Sequence, residues 1–171
     1  MKHVLLTGPP GVGKTTLIRR LAERLADRRP AGFYTAEIRE KGVRQGFELV
    51  SLDGRRALLA HVNLAGPHRV GKYGVDLPGF EAFLQGLTPL PPAAGLVLVD
   101  EIGKMEALSA RFRRWIGEML DSDRRIVATI ALRGDAFTEG IKRRPDVELH
   151  EITQGNRDSL AGVILERLET A

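Results

Sequence analysis

A glycine-rich segment close to the start of the chain constrains the fold more than any other part of the sequence. Residues 8–15 read GPPGVGKT and fit the pattern G-x-x-x-x-G-K-[ST] at every fixed position. A short apolar run, residues 3–7, precedes this segment. Apolar residues at helical spacing follow it, namely Leu17, Ile18, Leu21, Ala22 and Leu25. The segment is therefore predicted to be the turn between a β-strand and an α-helix.

Such a turn binds phosphate for two physical reasons. Successive backbone N–H groups converge on one point, and the positive end of the helix faces the same point. Glycine is needed because a Cβ would block the positive φ angles and the close approach of phosphate oxygens. We expect Lys14 to reach the β- and γ-phosphates of a nucleoside triphosphate and the Thr15 hydroxyl to ligate Mg²⁺. The predicted nucleotide-binding residues here are Gly8, Pro9, Pro10, Gly11, Val12, Gly13, Lys14, Thr15 and Thr16.

Length and composition fit a single domain over residues 1–171. Hydrophobic residues make up 43% of the chain, yet no apolar run approaches the roughly 18 residues that a membrane helix needs. The first apolar run breaks at Gly8-Pro9-Pro10, which argues against a signal peptide. The absence of cysteine excludes disulfides, cysteine–metal sites and thiol catalysis, and it favours a cytoplasmic location.

The net charge of +4 comes with 20 Arg against 6 Lys, but these charges are scattered and interleaved with acids. No RNA- or DNA-binding signature is present, so nucleic-acid binding is not expected. We expect a monomer whose partners are nucleoside triphosphates. The chain has only two Asn, three Gln and three Met, and this shortage of heat-labile residues favours a thermophilic source. A GC-rich genome would give the same arginine bias.

The rest of the chain alternates between strand and helix patterns. Three strand-like runs follow the first helix, and we interpret them as an antiparallel extension of a parallel sheet; they are residues 32–39, 46–52 and 56–62. Buried strands are predicted at 95–101 and 125–130, an edge strand at 146–152, and later helices near 78–84, 108–119 and 160–168. This order predicts an α/β fold, a doubly wound and mostly parallel sheet of the P-loop NTPase type.

Two carboxylates end the predicted strand at 95–101. Asp100 closes an apolar run, which is the Walker B pattern, and its carboxylate is expected to orient Mg²⁺ through water. At the carboxyl edge of the sheet, the adjacent Glu101 can reach the same phosphate crevice. A glutamate there is well placed to polarise an attacking water, so Glu101 is the predicted catalytic base. The alternative is a solvated residue at a strand end.

Residues 100–103 also satisfy the D-x-x-G pattern of GTPases. The guanine-reading Asn-Lys-x-Asp is absent from the sequence, which argues against a regulatory GTPase. The glutamate instead favours the RecA/AAA-like branch, in which one strand lies between the P-loop strand and the Walker B strand. The run at 125–130 is the natural insert. It would put Thr129 near the γ-phosphate, either as a sensor or as an ordinary β-branched core residue.

Several motifs together carry a resemblance to a known family, namely residues 6–16, 32–35, 44–47, 70–73 with 75–77, 100–106, and Thr153 with Asn156 and Arg157. Through them, over nearly its whole length, the chain resembles the nucleoside-triphosphatases first described from thermophiles, which have a human member called cancer-related nucleoside-triphosphatase. The resemblance implies slow hydrolysis of several nucleoside triphosphates with little regard for the base. It also implies nucleotide contacts from Val97, Leu98, Val99, Asp100, Glu101, Ile102, Gly103 and Lys104.

Cations outside the P-loop could stabilise the transition state. Lys104 is either such a group or a solvated side chain. Arg143, Arg144 and Arg157 are candidates for the cation that arginine fingers supply, and Arg144 is the first choice because a loop near the strand ends could deliver it. The predicted catalytic residues are Glu101, Lys14 and Arg144, and the predicted metal ligands are Thr15 and Asp100.

The sequence thus predicts a Mg²⁺-dependent nucleoside-triphosphatase that hydrolyses ATP, GTP, CTP and UTP with water oriented by Glu101. With no base-reading motif present, Tyr34 or Tyr73 is expected to stack on the base. Two alternatives stay open. In a nucleotide or nucleoside kinase an alcohol or phosphate would replace water, and in a nucleotide-gated binding module hydrolysis would time a partner interaction.

Overall fold

One nine-stranded β-sheet organises the protein in the computed structural model, which describes residues 2–169. Its strands are β1 (His3–Thr7), β2 (Ala31–Glu40), β3 (Val43–Ser51), β4 (Arg56–His61), β5 (Arg69–Val70), β6 (Tyr73–Val75), β7 (Leu96–Ile102), β8 (Arg125–Ile130) and β9 (Val147–Glu151). The helices are α1 (Lys14–Arg24), α2 (Leu77–Leu87), α3 (Ala110–Asp121), α4 (Ala136–Lys142) and α5 (Arg157–Glu169). Among the described residues, no helix is both long and apolar enough to cross a bilayer.

The strand order explains how distant parts of the sequence meet. Across the sheet it runs β5-β6-β4-β3-β2-β7-β8-β1-β9, and the strands from β2 to β9 in that order pair in parallel. Strand β8 lies between β1 and β7, as the sequence predicted. Parallel strands end at one edge, so the turn after β1 and the carboxylates at the end of β7 share a crevice. The predicted α/β fold class is confirmed.

The antiparallel extension grows out of β2. The first residues of β2 pair in parallel with β7, from Ala31 opposite Val97 to Phe33 opposite Val99. From Phe33 onward β2 also pairs antiparallel with β3. Its second half therefore extends beyond the parallel strands, past the edge that carries the crevice. The hairpin closes at Lys41 and Gly42, both with positive φ angles of 47° and 79°.

The core has two layers, one on each face of the sheet. Helices α2 and α3 cover one face with an aromatic cluster of Phe80, Phe112 and Trp115 packed against Phe33 of β2. Helices α1 and α5 cover the other face with aliphatic residues, Leu17, Ile18, Leu21, Leu160 and Ile164. The apolar residues of β7 alternate between the two layers, which is why residues 96–99 are apolar without a break before Asp100.

Three helices begin at a side chain that accepts a backbone N–H bond. Asp76, Ser109 and Asp135 accept from Gly79, Phe112 and Thr138 at 3.0, 3.1 and 3.1 Å. The cap at Ser109 shortens the predicted helix at 108–119, so Leu108 lies outside α3 and is 40% exposed. Helix α4 was not predicted, because its single short stretch carries too few apolar residues to show a period.

Candidate active site

The P-loop adopts the conformation that its glycines allow. Gly8, Gly11 and Gly13 have φ angles of 152°, 76° and 113°. A Cβ on Gly8 would also lie 2.7 Å from the backbone oxygen of Ile152, so no larger residue fits there. Gly13 immediately precedes α1, whose first backbone N–H groups have no partner within the helix. The loop and the helix therefore aim their N–H groups at one point above β1, as phosphate binding requires.

Lys14 lies folded within this loop. Its Nζ donates to the backbone oxygen of Gly8 at 2.9 Å and contacts that of Pro9 at 3.4 Å. Carbonyl oxygens satisfy an ammonium group only weakly compared with ionised phosphate oxygens. The side chain can therefore exchange these partners for phosphate without leaving the loop.

Asp100 is the centre of a hydrogen-bonded cluster of three threonines. Its carboxylate is 1% exposed. The hydroxyl of Thr15 donates to Oδ2 at 2.6 Å, that of Thr129 donates to Oδ1 at 2.6 Å, and that of Thr35 donates to Oδ2 at 3.1 Å. These threonines come from α1, β8 and β2, so the cluster joins the P-loop helix to three neighbouring strands. Residue Thr129, which the sequence left between sensor and core, is fully buried and touches Asp100.

Thr35 is a site residue that reasoning from the sequence missed. It closes the motif of residues 32–35 noted for the family resemblance, but no role was assigned to it there, and nothing in its spacing relates it to Asp100. The contact arises from topology, since β2 lies directly beside β7 in the sheet. The one available signal was that Thr35 is a polar residue two positions after Phe33, where the pairing of β2 with β7 ends.

Glu101 lies next to this cluster, after a cis peptide bond that joins it to Asp100. Its side chain is partly buried, and this burial raises the pKa of the carboxyl group. The positive charge of Lys14 opposes the rise, and the negative charge of Asp100 adds to it. The carboxyl group of Glu101 therefore interacts electrostatically with both Lys14 and Asp100. A raised pKa makes it a better proton acceptor than an ordinary surface glutamate.

A second carboxyl group, Glu106, lies behind Glu101 and was also missed. Both flank Gly103, since a Cβ there would be 3.0 Å from Oε2 of Glu106 and 3.3 Å from Oε1 of Glu101. Burial, reinforced by the charge of Glu101, raises the pKa of Glu106 to about 8. At neutral pH the Glu106 carboxyl group is therefore largely protonated.

Replacing Glu106 by glutamine should flatten the pH dependence of stability. In the wild type the folded pKa of about 8 exceeds the ordinary value of 4.5, so the native state holds a proton that the unfolded state releases. This contribution is present at low pH and is lost as the pH rises through 8. Relative to wild type, Glu106→Gln should gain at least about 1 kcal/mol of unfolding free energy between pH 5 and pH 9. Urea melts of both proteins at the two pH values measure this difference. An equal change in unfolding free energy in the wild type and the variant would contradict the prediction.

The remaining predicted residues of the β7 segment divide into two groups. Val97, Leu98 and Val99 have no exposed surface and fill the core, so their side chains do not reach a nucleotide. The side chain of Ile102 is fully buried in the core as well, so the expectation of side-chain contacts is corrected for these four residues. The segment meets the crevice only from Asp100 onward, and within it Lys104 is exposed.

The structure corrects the choice of Arg144. Its guanidinium pairs with Asp121 at 2.8 Å and with Asp146 at 2.8 Å, which raises its pKa. The backbone carbonyl of Asp146 accepts a hydrogen bond from the N–H of Lys2, the residue just before β1. Arg144 therefore lies at the amino edge of the sheet, opposite the P-loop, because α4 returns the chain to that edge before β9 begins. Arg157, by contrast, lies beside the P-loop, with Cδ 3.9 Å from the position of a Cβ on Gly13.

The donor atoms at the crevice suit a magnesium ion. Thr15 supplies a hydroxyl oxygen and Asp100 a carboxylate, and hard oxygen ligands of this kind are what Mg²⁺ takes in phosphate sites. The Thr15 hydroxyl can donate its proton to Asp100 and still offer a lone pair to a metal. These two residues are thus the ones that could hold Mg²⁺ together with phosphate oxygens.

The site combines a strand–P-loop–helix unit with a buried Walker B aspartate on β7, which is separated from β1 by one strand, and with a glutamate beside that aspartate. These features define a P-loop NTPase. Comparison with known proteins agrees. Residues 3–165 match the sequence model of the family described as NTPase, so the chain belongs to that family. Its curated members are named as nucleoside-triphosphatases, and this protein is an enzyme of that class.

The relatives and solved structures align over nearly the whole chain. The nucleoside-triphosphatase THEP1 of Thermotoga sp. (strain RQ2) is 45% identical, with 97% of this chain and 95% of that protein covered. The crystal structure of THEP1 from the hyperthermophile Aquifex aeolicus superposes with a TM-score of 0.89 at 35% identity, covering 98% and 99% of the two chains. The solution structure of a human cancer-related nucleoside triphosphatase superposes with a TM-score of 0.85 at 38% identity, covering 100% of this chain and 99% of that chain.

Proposed function

We propose that this protein hydrolyses nucleoside triphosphates to diphosphate and phosphate, that it requires Mg²⁺, and that Glu101 orients the attacking water. The observation that supports this most directly is the joining of Thr15 to Asp100 at 2.6 Å, with Glu101 as the next residue. A metal-binding hydroxyl, a metal-orienting carboxylate and a free base are thereby collected at one point above β1, β8 and β7.

Each group has a role that follows from its surroundings. Lys14 and the N–H groups of the P-loop bind the β- and γ-phosphates and stabilise charge that develops on them. Magnesium bound by Thr15 and Asp100 would neutralise further phosphate charge. Glu101, with its raised pKa, accepts a hydrogen bond or a proton from water aligned with the γ-phosphate. Glu106, whose pKa of about 8 keeps it largely protonated at neutral pH, adds little negative charge beside Glu101.

Phosphate release from ATP tests this proposal, measured with and without Mg²⁺ and with candidate acceptors. Hydrolysis predicts one free phosphate for each diphosphate formed, whether or not an acceptor is present, and loss of turnover when Mg²⁺ is chelated. A phosphorylated acceptor that forms at the expense of free phosphate would instead identify a kinase. Turnover that persists in EDTA would contradict the metal requirement.

Low base selectivity is a further expectation. The phosphate site reads no base, and Tyr73, one of the two aromatic candidates for stacking, is only 8% exposed and accepts a hydrogen bond from Arg44 at 3.0 Å. We therefore expect kcat/KM values for ATP, GTP, CTP and UTP within about two orders of magnitude, which corresponds to roughly 3 kcal/mol. Steady-state kinetics on the four triphosphates measure this spread. A thousandfold preference for one base would contradict it.

A further inference from the structure

A cleft lies beside the P-loop, on the side away from the carboxylates. It has a volume of about 150 Å³ and is lined by Gly13, Thr16, Leu17, Arg20, Arg157 and Asp158. One wall is the start of α1 and the other is the start of α5. Arg157 is exposed and lies against Gly13, the residue that immediately precedes α1.

The strand order indicates which part of a bound nucleotide would lie nearest to this cleft. Asp100, Glu101 and Thr129 lie on β7 and β8, to one side of β1, so the reacting γ-phosphate lies on that side. The start of α5 follows β9, on the other side of β1. A phosphate chain wrapped by the P-loop therefore points its other end toward the cleft. Thr16, which comes directly after the proposed metal ligand Thr15, lines the cleft.

The wall that carries Arg157 is firmly built. The backbone N–H of Ile152 donates to Thr7 at 2.7 Å, which ties the end of β9 to the end of β1. The side chain of Asn156 then accepts from the N–H of Thr153 at 2.8 Å and donates to the carbonyl of Glu151 at 2.9 Å. The loop before α5 is thereby closed on itself, so Arg157 begins from a fixed backbone position.

The ion pair that joins this wall to α1 is weak. Arg20 pairs with Asp158 across the cleft at 3.8 Å, and both side chains are more than half exposed, at 51% and 80%. An exposed pair at this distance contributes little and opens readily. The cleft can therefore admit a ring without breaking a buried contact, while the guanidinium of Arg157 stays beside the P-loop.

We propose that this cleft holds the nucleoside half of the substrate and that the guanidinium of Arg157 stacks on the face of the base. This inference rests on the proposed function. A planar guanidinium stacks on purines and pyrimidines alike, because every base has a π-face. The cleft would thus add affinity for nucleotides without reading the base, and Arg157 is a binding residue rather than a transition-state cation.

The test compares a ligand with a nucleoside to one without it. For Arg157→Ala, the dissociation constant of a non-hydrolysable ATP analogue should rise about five- to hundredfold, the range for removing one stacking side chain. The dissociation constant of inorganic tripolyphosphate should stay within about twofold, since it occupies only the P-loop. Arg157→Lys, which keeps the charge but not the plane, should behave like alanine, and Arg157→Phe should restore most of the affinity for the analogue. Arg24→Ala, which removes an exposed arginine from the last turn of α1, is the matched control.

Each other outcome would overturn the inference. Equal weakening of both ligands would make Arg157 a phosphate contact, and a fall in kcat with unchanged binding would make it a transition-state cation. No change in any of these quantities would place the nucleoside elsewhere. Failure of the proposed function is a separate result, because it would appear in the wild type as an absence of phosphate release from every triphosphate.

Discussion

Replacing Lys14 by alanine should abolish both nucleotide binding and turnover while leaving the fold intact. The ammonium group is the cation proposed to touch the β- and γ-phosphates, and its partners in the structure are carbonyls of its own loop. A side chain bonded only to its own loop contributes little to the core, so the melting temperature should change by no more than a few degrees. Isothermal titration with MgATP, phosphate release and a thermal melt together measure the effect.

A control lysine is available in Lys41, which is exposed at the β2–β3 turn. Lys41→Ala removes the same charge far from β1 and should bind and hydrolyse ATP like the wild type. Hydrolysis by Lys14→Ala at the wild-type rate would end the interpretation of residues 8–15 as the phosphate site. A large loss of stability in that variant would mean that the lysine is structural.

Glu101→Gln should separate binding from chemistry. The amide keeps the shape of the side chain, and Asp100 with its threonine partners keeps the metal position, so MgATP affinity should stay close to that of the wild type. Turnover should fall about 10²- to 10⁴-fold, the range typical of losing a general base. The loss should appear in kcat rather than KM, since the interaction with water matters mainly in the transition state.

Two further variants sharpen this result. Glu101→Asp should be nearly as slow, because its carboxylate is drawn back by one methylene from the water. Glu118→Gln changes an exposed glutamate of α3 on the opposite face from α1 and should leave turnover unchanged. Intact turnover in Glu101→Gln, or binding lost together with turnover, would remove Glu101 from the catalytic role.

Local patterns in the sequence predicted the framework of this site. The turn at residues 8–15 was predicted from its glycines and from the apolar periodicity on either side. The strand end at Asp100 was predicted from an apolar run that ends in a carboxylate. The insertion of β8 between β1 and β7 followed from the placement of Glu101 beside Asp100. The structure confirms the strand–turn–helix unit, the strand end at Asp100 and the inserted strand, because each depends on neighbours along the chain or on the common edge at which parallel strands end.

The failures came from contacts that no local pattern encodes. Thr35 reaches Asp100 because β2 lies beside β7, and that neighbour relation is a property of the whole sheet. Glu106 lies beside Glu101 because the turn after β7 brings both carboxyl groups to Gly103, and no local pattern shows how that turn folds. Arg144 was expected near the strand ends, but a short helix, α4, decides which end, and its pattern was too brief to detect. The sequence patterns gave residue types and local elements, but they did not show which distant elements lie next to each other in the fold.

The aromatic layer under α3 has a practical consequence for optical measurements. Trp115 is the one tryptophan in the sequence, is 4% exposed, and packs against Phe33 and Phe112 on the face of the sheet opposite α1. Its emission will therefore report melting of that layer, with no second indole to blur the signal. Because the nucleotide crevice lies at the sheet edge and the proposed base cleft adjoins α1, ligand titrations need an added chromophore, such as a fluorescent nucleotide. Intrinsic fluorescence can then follow the unfolding of each variant in the same cuvette.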